Sequence, residues 1–303
     1  GIGLAPGDEI QGLTLGGVGA GTMIDYIDIY SSSDDGIEIF GGTVDIRHIS
    51  VAFATDDSFD FDLGWLGTGQ FLFALQGEDT PGFDHGGEWD GASPDDAPLF
   101  SAPQLANMTI IGPGSAGTLR DKAILMRENF AGSLYNSLLT DFPEKGIEVQ
   151  DMGDENGDLP DDCYERLTQA KANDDGDSYQ IVIANNTWSK FGSASAIADI
   201  VKATSIKDDD ENTIYSGQTA DVITHLTNNT NAVVTTDVVK SISRTAGSGG
   251  LDPRPQNEDN NVKDLSNVSD KFETVNYRGA FSATDNWLEG WSTLAVEGYF
   301  PGN

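Results

Sequence analysis

The sequence predicts an all-β protein, a right-handed parallel β-helix whose coils are about 22 residues long. One observation is that apolar positions recur at one fixed separation. A second is that short strands of alternating apolar and polar residues lie between turns rich in Gly, Ser and Asp. The composition agrees, because 36 glycines and only 38% hydrophobic residues fit many turns around a β core.

The repeat is clearest in the N-terminal region. At a shift of about 22 residues, Ile27 aligns with Ile49 and then with Phe71. Stacked coils place equivalent residues about 4.8 Å apart, so these side chains are predicted to share one interior column. Other aligned sets are Ile24 with Ile46, Ile29 with Val51 and Phe73, Asp34-Asp35 with Asp56-Asp57, and Gly36 to Ile39 with Ser58 to Phe61.

Later copies of the Gly-Ile-Glu-Ile strand are predicted at Phe83 to His85, Leu119 to Asp121 and Gly146 to Val149. The extra residues between them should form loops. The segment Gly86 to Phe100 contains two prolines and four acids, which do not fit a central strand. The core pattern resumes at Asn107 to Ile111 and at Tyr179 to Ile183.

Three regions are expected along the chain. Residues 1–193 should form the coils, and residues 194–246 a lateral excursion or cap with a short helix at Ala196 to Val201 and a solvated turn at Asp208 to Glu211. Residues 247–303 should form a linker and a capping segment. Its aromatic residues are predicted to cover the last coil: Phe272, Tyr277, Phe281, Trp287, Trp291 and Phe300.

The chain is strongly acidic, with 16 Lys and Arg against 50 Asp and Glu and a formal charge of −34. This charge repels phosphate backbones, so nucleic acid is not expected as a partner. Salt screens such self-repulsion, which favours a secreted or cell-surface protein in a saline medium. No apolar segment is long enough to span a membrane, and the single cysteine, Cys163, is expected to be a packing residue.

Several stretches together resemble a family of surface-exposed parallel β-helix proteins from marine proteobacteria and Bacteroidetes. They are Leu4 to Glu9, Gly16 to Gly19, Thr22 to Ile29, Asp34 to Gly42, Tyr277 to Phe281 and Asn286 to Trp291. The resemblance implies the fold and a surface location rather than an activity. Members carry earlier coils, so the first coil here is expected to be open to another β edge.

A calcium site is predicted in the loop Asp154 to Glu165, where acids and an amide stand at the spacing of oxygen ligands. The predicted ligands are Asp154, Asn156, Asp158, Asp162 and Glu165. Leu159 replaces the glycine of such loops and Pro160 follows it, so a solvated acidic loop is the alternative. The paired turn acids Asp34-Asp35 and Asp56-Asp57 could likewise hold a cation or act as turn formers.

The candidates for proton transfer are Asp84, His85, Glu88 and Asp90, with Trp89 as a surface for stacking a sugar ring. The cations that a polysaccharide lyase would need, Arg47, Arg120 and Arg127, are not clustered in the sequence. No catalytic residue is therefore assigned.

Two functional hypotheses remain. The first is a structural or adhesive protein that associates through its ends into a calcium-stabilised fibre. The second is a carbohydrate-active enzyme, either a lyase or a hydrolase, or a glycan-binding module that uses Trp65 and Trp89. The absence of a recognisable catalytic motif favours the first hypothesis and a non-enzymatic protein.

Overall fold

The computed structural model describes residues 10–78, 83–93, 97–117, 122–150, 163–172, 176–204, 206–207, 213–215, 218–258 and 261–302. The strands up to residue 150 are β1 (Leu13–Val18), β2 (Met23–Tyr30), β3 (Ile37–Gly42), β4 (Asp45–Ala52), β5 (Phe59–Trp65), β6 (Thr68–Leu75), β7 (His85–Asp90), β8 (Gln104–Ile111), β9 (Lys122–Arg127), β10 (Ser133–Tyr135), β11 (Leu138–Phe142) and β12 (Ile147–Gln150).

Short helices and strands follow. They are α1 (Cys163–Arg166), β13 (Lys171–Ala172), β14 (Ser178–Tyr179), β15 (Val182–Ala184), β16 (Thr187–Phe191), α2 (Ile197–Ile200), β17 (Val201–Thr204), β18 (Ile206–Lys207), β19 (Thr213–Tyr215), α3 (Thr219–Asn228), β20 (Ala232–Val234), β21 (Val239–Ser241), β22 (Asp252–Pro255) and α4 (Thr293–Val296).

The predicted parallel β-helix is confirmed. Among the described residues, sheet A has the strand order β1-β3-β5-β7-β9-β12-β17, and sheet B has the order β2-β4-β6-β8-β11-β16-β20. All strand pairs along these two paths are parallel. Each coil therefore contributes one strand to each sheet, and the core lies between the sheets.

Alternation along the strands fills this core. In β3 the side chains of Ile37 and Ile39 are fully buried, as expected when every second residue points inward. Gly36 precedes this strand, and a Cβ atom there would lie 2.6 Å from the carbonyl oxygen of Ser58 on the next coil. Only glycine permits this close approach of backbones.

The predicted column is confirmed for its first pair and wrong for its third member. Ile27 pairs with Ile49, but Ile49 pairs with Leu72 rather than Phe71. The register also shifts within sheet A, where Phe40 pairs with Asp62 but Gly42 pairs with Trp65. One extra residue in this part of β5 moves β6 by one position from the register that a strict 22-residue repeat predicts. Each side chain of β6 therefore lies on the opposite face from the predicted one.

Two expectations about later strands are wrong. The copy of the Ile-Glu-Ile strand lies at Gly87 to Trp89 within β7, since Asp60 pairs with Glu88 and Phe61 with Trp89. Gly86 to Asp90 is therefore a central strand, and the prolines of that insertion come after it. The next copy is Ile124 to Met126 rather than 119–121, which lie outside the described residues. The copy at Gly146 to Val149 is confirmed by β12.

The sheets continue beyond residue 193, where the sequence suggested that the coils end. Strand β17 pairs with β12, and β20 pairs with β16. The short helix predicted at residues 196–201 is present as α2. Between these strands, α3 places Val222 and Leu226 in the main core, so this amphipathic helix covers that end of the β-helix.

The aromatic C-terminal residues do not cover the last coil. Residues 261–302, here called the strap, run along the outside of sheet B from later coils back to the first ones. Asn185 Nδ2 donates to the carbonyl of Asn261 at 3.0 Å near one end, and the amide of Thr293 donates to Asp28 Oδ2 at 2.7 Å near the other. Phe281, Leu288 and Phe300 form a second core there with outward residues of sheet B.

A bend within sheet B receives the strap. Its residues are not glycines, yet each has a positive φ between 45° and 61°: Tyr26, His48, Phe71, Asn107, Asn136 and Asn185. The asparagines tolerate this conformation, and all three donate to strap carbonyls: Asn107 to Tyr277, Asn136 to Lys263 and Asn185 to Asn261. The first three rings stack on one another, with centroids 4.3 and 5.0 Å apart.

Candidate active site on sheet A

The outward side chains of sheet A form a charged surface, here called the acidic face. Register places Glu38 beside Asp60, Asp60 beside Glu88, and Glu148 beside Lys202. A neighbouring column contains Asp90 beside Arg127. Side chains alternate along a strand, so the strands that point Ile and Phe inward present these charged groups outward.

His85 lies at the centre of one group of contacts. Its Nδ1 atom is 3.0 Å from Asp57 Oδ1, and its Nε2 atom is 3.2 Å from Lys122 Nζ. Burial lowers the pKa of His85 and raises that of Asp57 well above its usual value. The imidazole is only 2% exposed, so His85 orients Asp57 and Lys122 and does not contact solvent.

Lys122 links the histidine to a buried carboxylate. Its Nζ atom is 3.1 Å from Glu148 Oε2, and Lys202 Nζ is 2.8 Å from Glu148 Oε1. Thr204 also donates a hydrogen bond to Glu148. Burial would raise the pKa of Glu148, but the hydrogen bonds from Lys202, Thr204 and Lys122 outweigh it and lower that pKa. Glu148 is therefore an ionised, fully paired anchor.

Arg127 joins two carboxyl groups of β7. Its Nε and Nη2 atoms donate to the two oxygens of Asp90 at 2.8 and 2.9 Å, a planar bidentate pair. The Nη2 atom also lies 3.2 Å from Glu88 Oε1. The guanidinium is 29% exposed, so it remains accessible to an anionic group from solvent.

Glu88 has the proton affinity that acid–base chemistry needs. Burial, together with the charges of Asp57 and Asp90, raises its pKa to about 7 despite the opposing effect of Arg127 and His85. Its side chain is 19% exposed. A carboxyl group that is half-protonated near neutral pH can donate a proton to a bound molecule or accept one from it.

The first coils of the acidic face contain further carboxyl groups in unusual states. Burial is the main cause that raises the pKa of Asp35 to about 8, of Glu38 to about 7 and of Asp60 to about 10, and neighbouring acids add to it. Asp35 Oδ1 accepts the backbone amide of Asp57 at 3.0 Å. This contact agrees with the turn-forming role predicted for the paired acids.

The structure brings together the predicted proton-transfer residues. Asp84 Oδ1 lies 3.4 Å from His85 Nε2, and one oxygen of Glu88 lies within 4.8 Å of ligand atoms of His85 and Asp57. Sequence reasoning missed Lys122, considered Asp57 only as a turn former or a cation ligand, and set Arg127 aside. Asp57 is 28 residues before His85, and Arg127 is 37 residues after Asp90, so unequal loops hide these neighbours.

The predicted sugar-stacking surface is wrong for both tryptophans. Trp65 and Trp89 are fully buried and point inward, where both pack on Phe61 with centroid distances of 4.5 and 5.9 Å. Arg47 lies in sheet B beside Glu273 of the strap. Arg120 lies outside the described residues.

The predicted calcium loop stays a prediction. Asp154, Asn156, Asp158 and Asp162 lie outside the described residues, and Glu165 belongs to α1, where its side chain is not described. The acids at 208–211 are outside the description as well. Cys163 is fully buried, as expected of a packing residue.

Comparison with known proteins identifies the family. The model of the pectate-lyase-like β-helix domain matches residues 1–292. The chain belongs to this family. None of the curated proteins and none of the solved structures matches it significantly.

The family match agrees with the parallel sheets of the structure. As for membranes, the described residues contain no helix that is long and apolar enough to cross one. The acidic face around Glu88 is the strongest candidate for a functional site in this pectate-lyase-like domain, because Glu88 is partly exposed, has a raised pKa and lies beside Arg127.

Proposed function

We propose that this protein is a secreted or cell-surface carbohydrate-active enzyme that cleaves a polysaccharide across the acidic face of sheet A. The observation that supports this most is the contact between Glu88 on β7 and Arg127 on β9, which brings a partly exposed carboxyl group and a guanidinium from two neighbouring coils together on one surface. The row of polar side chains, which continues across several stacked coils, suits a chain-like substrate. The β-helix family supports the same class of function.

Hydrolysis is the reaction that we favour. Protonated Glu88 would donate its proton to the glycosidic oxygen as the bond to the anomeric carbon breaks. Water would add to that carbon and lose its proton to a carboxylate on a neighbouring coil. Arg127 would position an anionic or hydroxyl group of the sugar through its remaining N–H groups. The ion pairs of Glu148 and the Asp57–His85 contact would hold these strands in register.

The adhesive, fibre-forming function predicted from the sequence is less well supported. Helix α3 packs Val222 and Leu226 onto the core at the end formed by β17 and β20. Head-to-tail stacking of β-helices would need this end to be open. Assembly through the ends therefore stays a prediction, to be checked by light scattering across protein and salt concentrations.

The direct test is incubation of the purified protein with neutral and uronate-rich polysaccharides of plant, algal and bacterial origin. New reducing ends without unsaturated ends are expected. Unsaturated ends would contradict hydrolysis and indicate β-elimination instead. Neither cleavage nor binding across the panel would overturn the proposed function.

A further inference from the structure

Two aromatic side chains are exposed where the strap crosses β2 on the outer surface of sheet B. Tyr26 of β2 is 49% exposed, and Trp291 of the strap is 39% exposed. Their ring centroids lie 5.9 Å apart, and the ring planes meet at 71°. Trp287 packs beside both rings, 6.1 Å from Tyr26 and 6.3 Å from Trp291 between centroids. These three residues are here called the aromatic corner, and the core separates them from the acidic face of sheet A.

Burial does not explain why Tyr26 is an aromatic residue. Its φ is 55°, in the left-handed region that asparagine tolerates and that is a genuine outlier for a bulky side chain. His48 and Phe71 adopt the same conformation on the next two coils, but His48 lies beneath Trp287 and Phe71 is only 2% exposed. Tyr26 instead leaves half of its surface in solvent. An exposed ring on a costly backbone conformation points to a function for that ring.

A polar cleft adjoins the aromatic corner. Its volume is about 320 Å³, within the range of about 300–1,000 Å³ of small-molecule sites. Asp25 joins the two features, because it precedes Tyr26 in β2 and its Oδ1 atom lies 2.8 Å from His48 Nδ1. The His48 ring in turn stacks on Tyr26 at 4.3 Å. The cleft is lined by the start of β2 and by charged side chains: residues 20–25, Asp45, Arg47 and Lys271.

The cations of the cleft already face carboxylates. Arg47 Nη1 lies 3.9 Å from Glu273 Oε1, and Lys271 Nζ lies 3.7 Å from Asp45 Oδ2. An anionic ligand would have to compete with these acids for both cations. The cleft therefore offers hydrogen-bond donors and acceptors without a net attraction for negative charge.

The charges around Tyr26 favour an uncharged ligand. Burial and the charges of Asp25, Asp285 and Glu273 raise the pKa of the Tyr26 hydroxyl, so these acids act on any group that meets the ring. They repel uronates and sulfated sugars but accept hydrogen bonds from neutral hydroxyl groups. A neutral pyranose fits this combination, because its C–H face packs on an aromatic ring and its hydroxyls need polar partners.

We propose that the aromatic corner and the adjoining cleft bind a neutral polysaccharide. One pyranose ring packs against Tyr26 and Trp291, and its hydroxyl groups form hydrogen bonds with Asp25 and Arg47. The site holds the polymer on sheet B, away from the acidic face. It does not depend on the proposed enzymatic function, because a polymer bound at sheet B need not be cleaved at sheet A.

The test is affinity electrophoresis of the intact chain in native gels that contain laminarin, xylan or galactomannan, with polygalacturonate and alginate for comparison. At least one neutral polysaccharide should retard the wild type. Tyr26→Asn and Trp291→Ala should each weaken that binding by at least about tenfold. Any retardation by the two anionic polysaccharides should be the same for these variants and the wild type.

The choice of variants separates binding from folding. Asparagine occupies the same bend on later coils, as at Asn107, so Tyr26→Asn should keep the circular dichroism spectrum of the wild type. Val296→Ala is the matched control, because Val296 is an apolar residue of the same strap that is 78% exposed. It should bind like the wild type.

Three results would overturn the proposal. The first is a wild type that no neutral polysaccharide retards, and the second is undiminished binding by both Tyr26→Asn and Trp291→Ala. The third is a wild-type dimer that Trp291→Ala converts to monomers in analytical ultracentrifugation, since the aromatic corner would then be an interface between two copies of the chain. Binding that depends on Tyr26 and Trp291 without any cleavage would support this proposal and count against the enzymatic function alone.

Discussion

Asp57 Oδ1 accepts the backbone amide of His85 at 2.6 Å and lies 3.0 Å from the Nδ1 atom of the same residue. One carboxyl oxygen thus fixes both the main chain and the ring of a residue on the next coil. The same arrangement occurs one coil earlier, where Asp35 accepts the amide of Asp57. These turn acids therefore link coil to coil.

Asp57→Ala should destabilise the fold, because it leaves a buried amide and a buried imidazole without their acceptor. The expected loss in the free energy of unfolding is about 1–3 kcal/mol, measured by urea denaturation. Asp84→Ala is the matched control, since Asp84 faces the same histidine but its side chain is 56% exposed. It should change stability by no more than about 0.5 kcal/mol. Equal effects of the two substitutions would contradict the role given to Asp57.

The strap depends on one glycine. Gly279 has a φ of +85°, and a Cβ atom there would lie 2.6 Å from Thr109 Oγ1. Gly279→Ala should therefore cost about 1–2 kcal/mol for the left-handed backbone and a further 1–3 kcal/mol for the overlap. Faster proteolysis of the strap should accompany this loss.

Gly290→Ala provides the control for backbone strain. Its φ is +83°, but a Cβ atom there would meet nothing within 4 Å. This variant should show only the cost of the left-handed backbone. If both glycine variants unfold at the same urea concentration, the close packing of the strap on Thr109 is not important for stability.

His225 should make stability depend on pH. Its Nε2 atom accepts the amide of Ile183 at 3.1 Å, and burial lowers its pKa. The folded state therefore keeps the ring neutral, whereas the unfolded chain takes up a proton below pH about 6.5. The contribution of His225 to stability is thus fully present above that pH and is lost as the pH falls.

The check compares the wild type with His225→Gln by urea denaturation between pH 5 and 8. The difference in unfolding free energy should be constant above pH 7 and should shrink below about 6.5, by up to about 1.4 kcal/mol per pH unit. A difference that stays constant across the whole range would show that this ring does not titrate in the way its burial implies.

The fold was predictable because the strands carry a local, repeated signal. Ile27 and Ile49 align in sequence and pair in space. Leu72 was missed in favour of Phe71 because the extra residue in β5 leaves no mark on the hydrophobic pattern. Both Phe71 and Leu72 are apolar, so the pattern does not show which of them points inward. Phe71 packs on the outside of the sheet against His48.

The candidate site was predictable only in part. His85, Glu88 and Asp90 lie on one short strand, so sequence proximity revealed them. Lys122 and Arg127 lie beside them because β7 pairs with β9. The length of the loop between these two strands cannot be predicted from the local sequence. The strap was misplaced for the same reason, since the contact of Trp287 with His48 joins distant parts of the chain.

The most direct test measures kcat of the Glu88→Gln variant and of the wild type on the polysaccharide that the wild type cleaves best. Glu78→Gln is the control, because Glu78 is 69% exposed and contacts Arg244 rather than the acidic face. Glu88→Gln should lower kcat by at least about 100-fold. The wild-type rate should fall as the pH rises above 7, where Glu88 loses its proton. Full activity of Glu88→Gln with an unchanged pH profile would contradict the assignment of the acidic face as the active site.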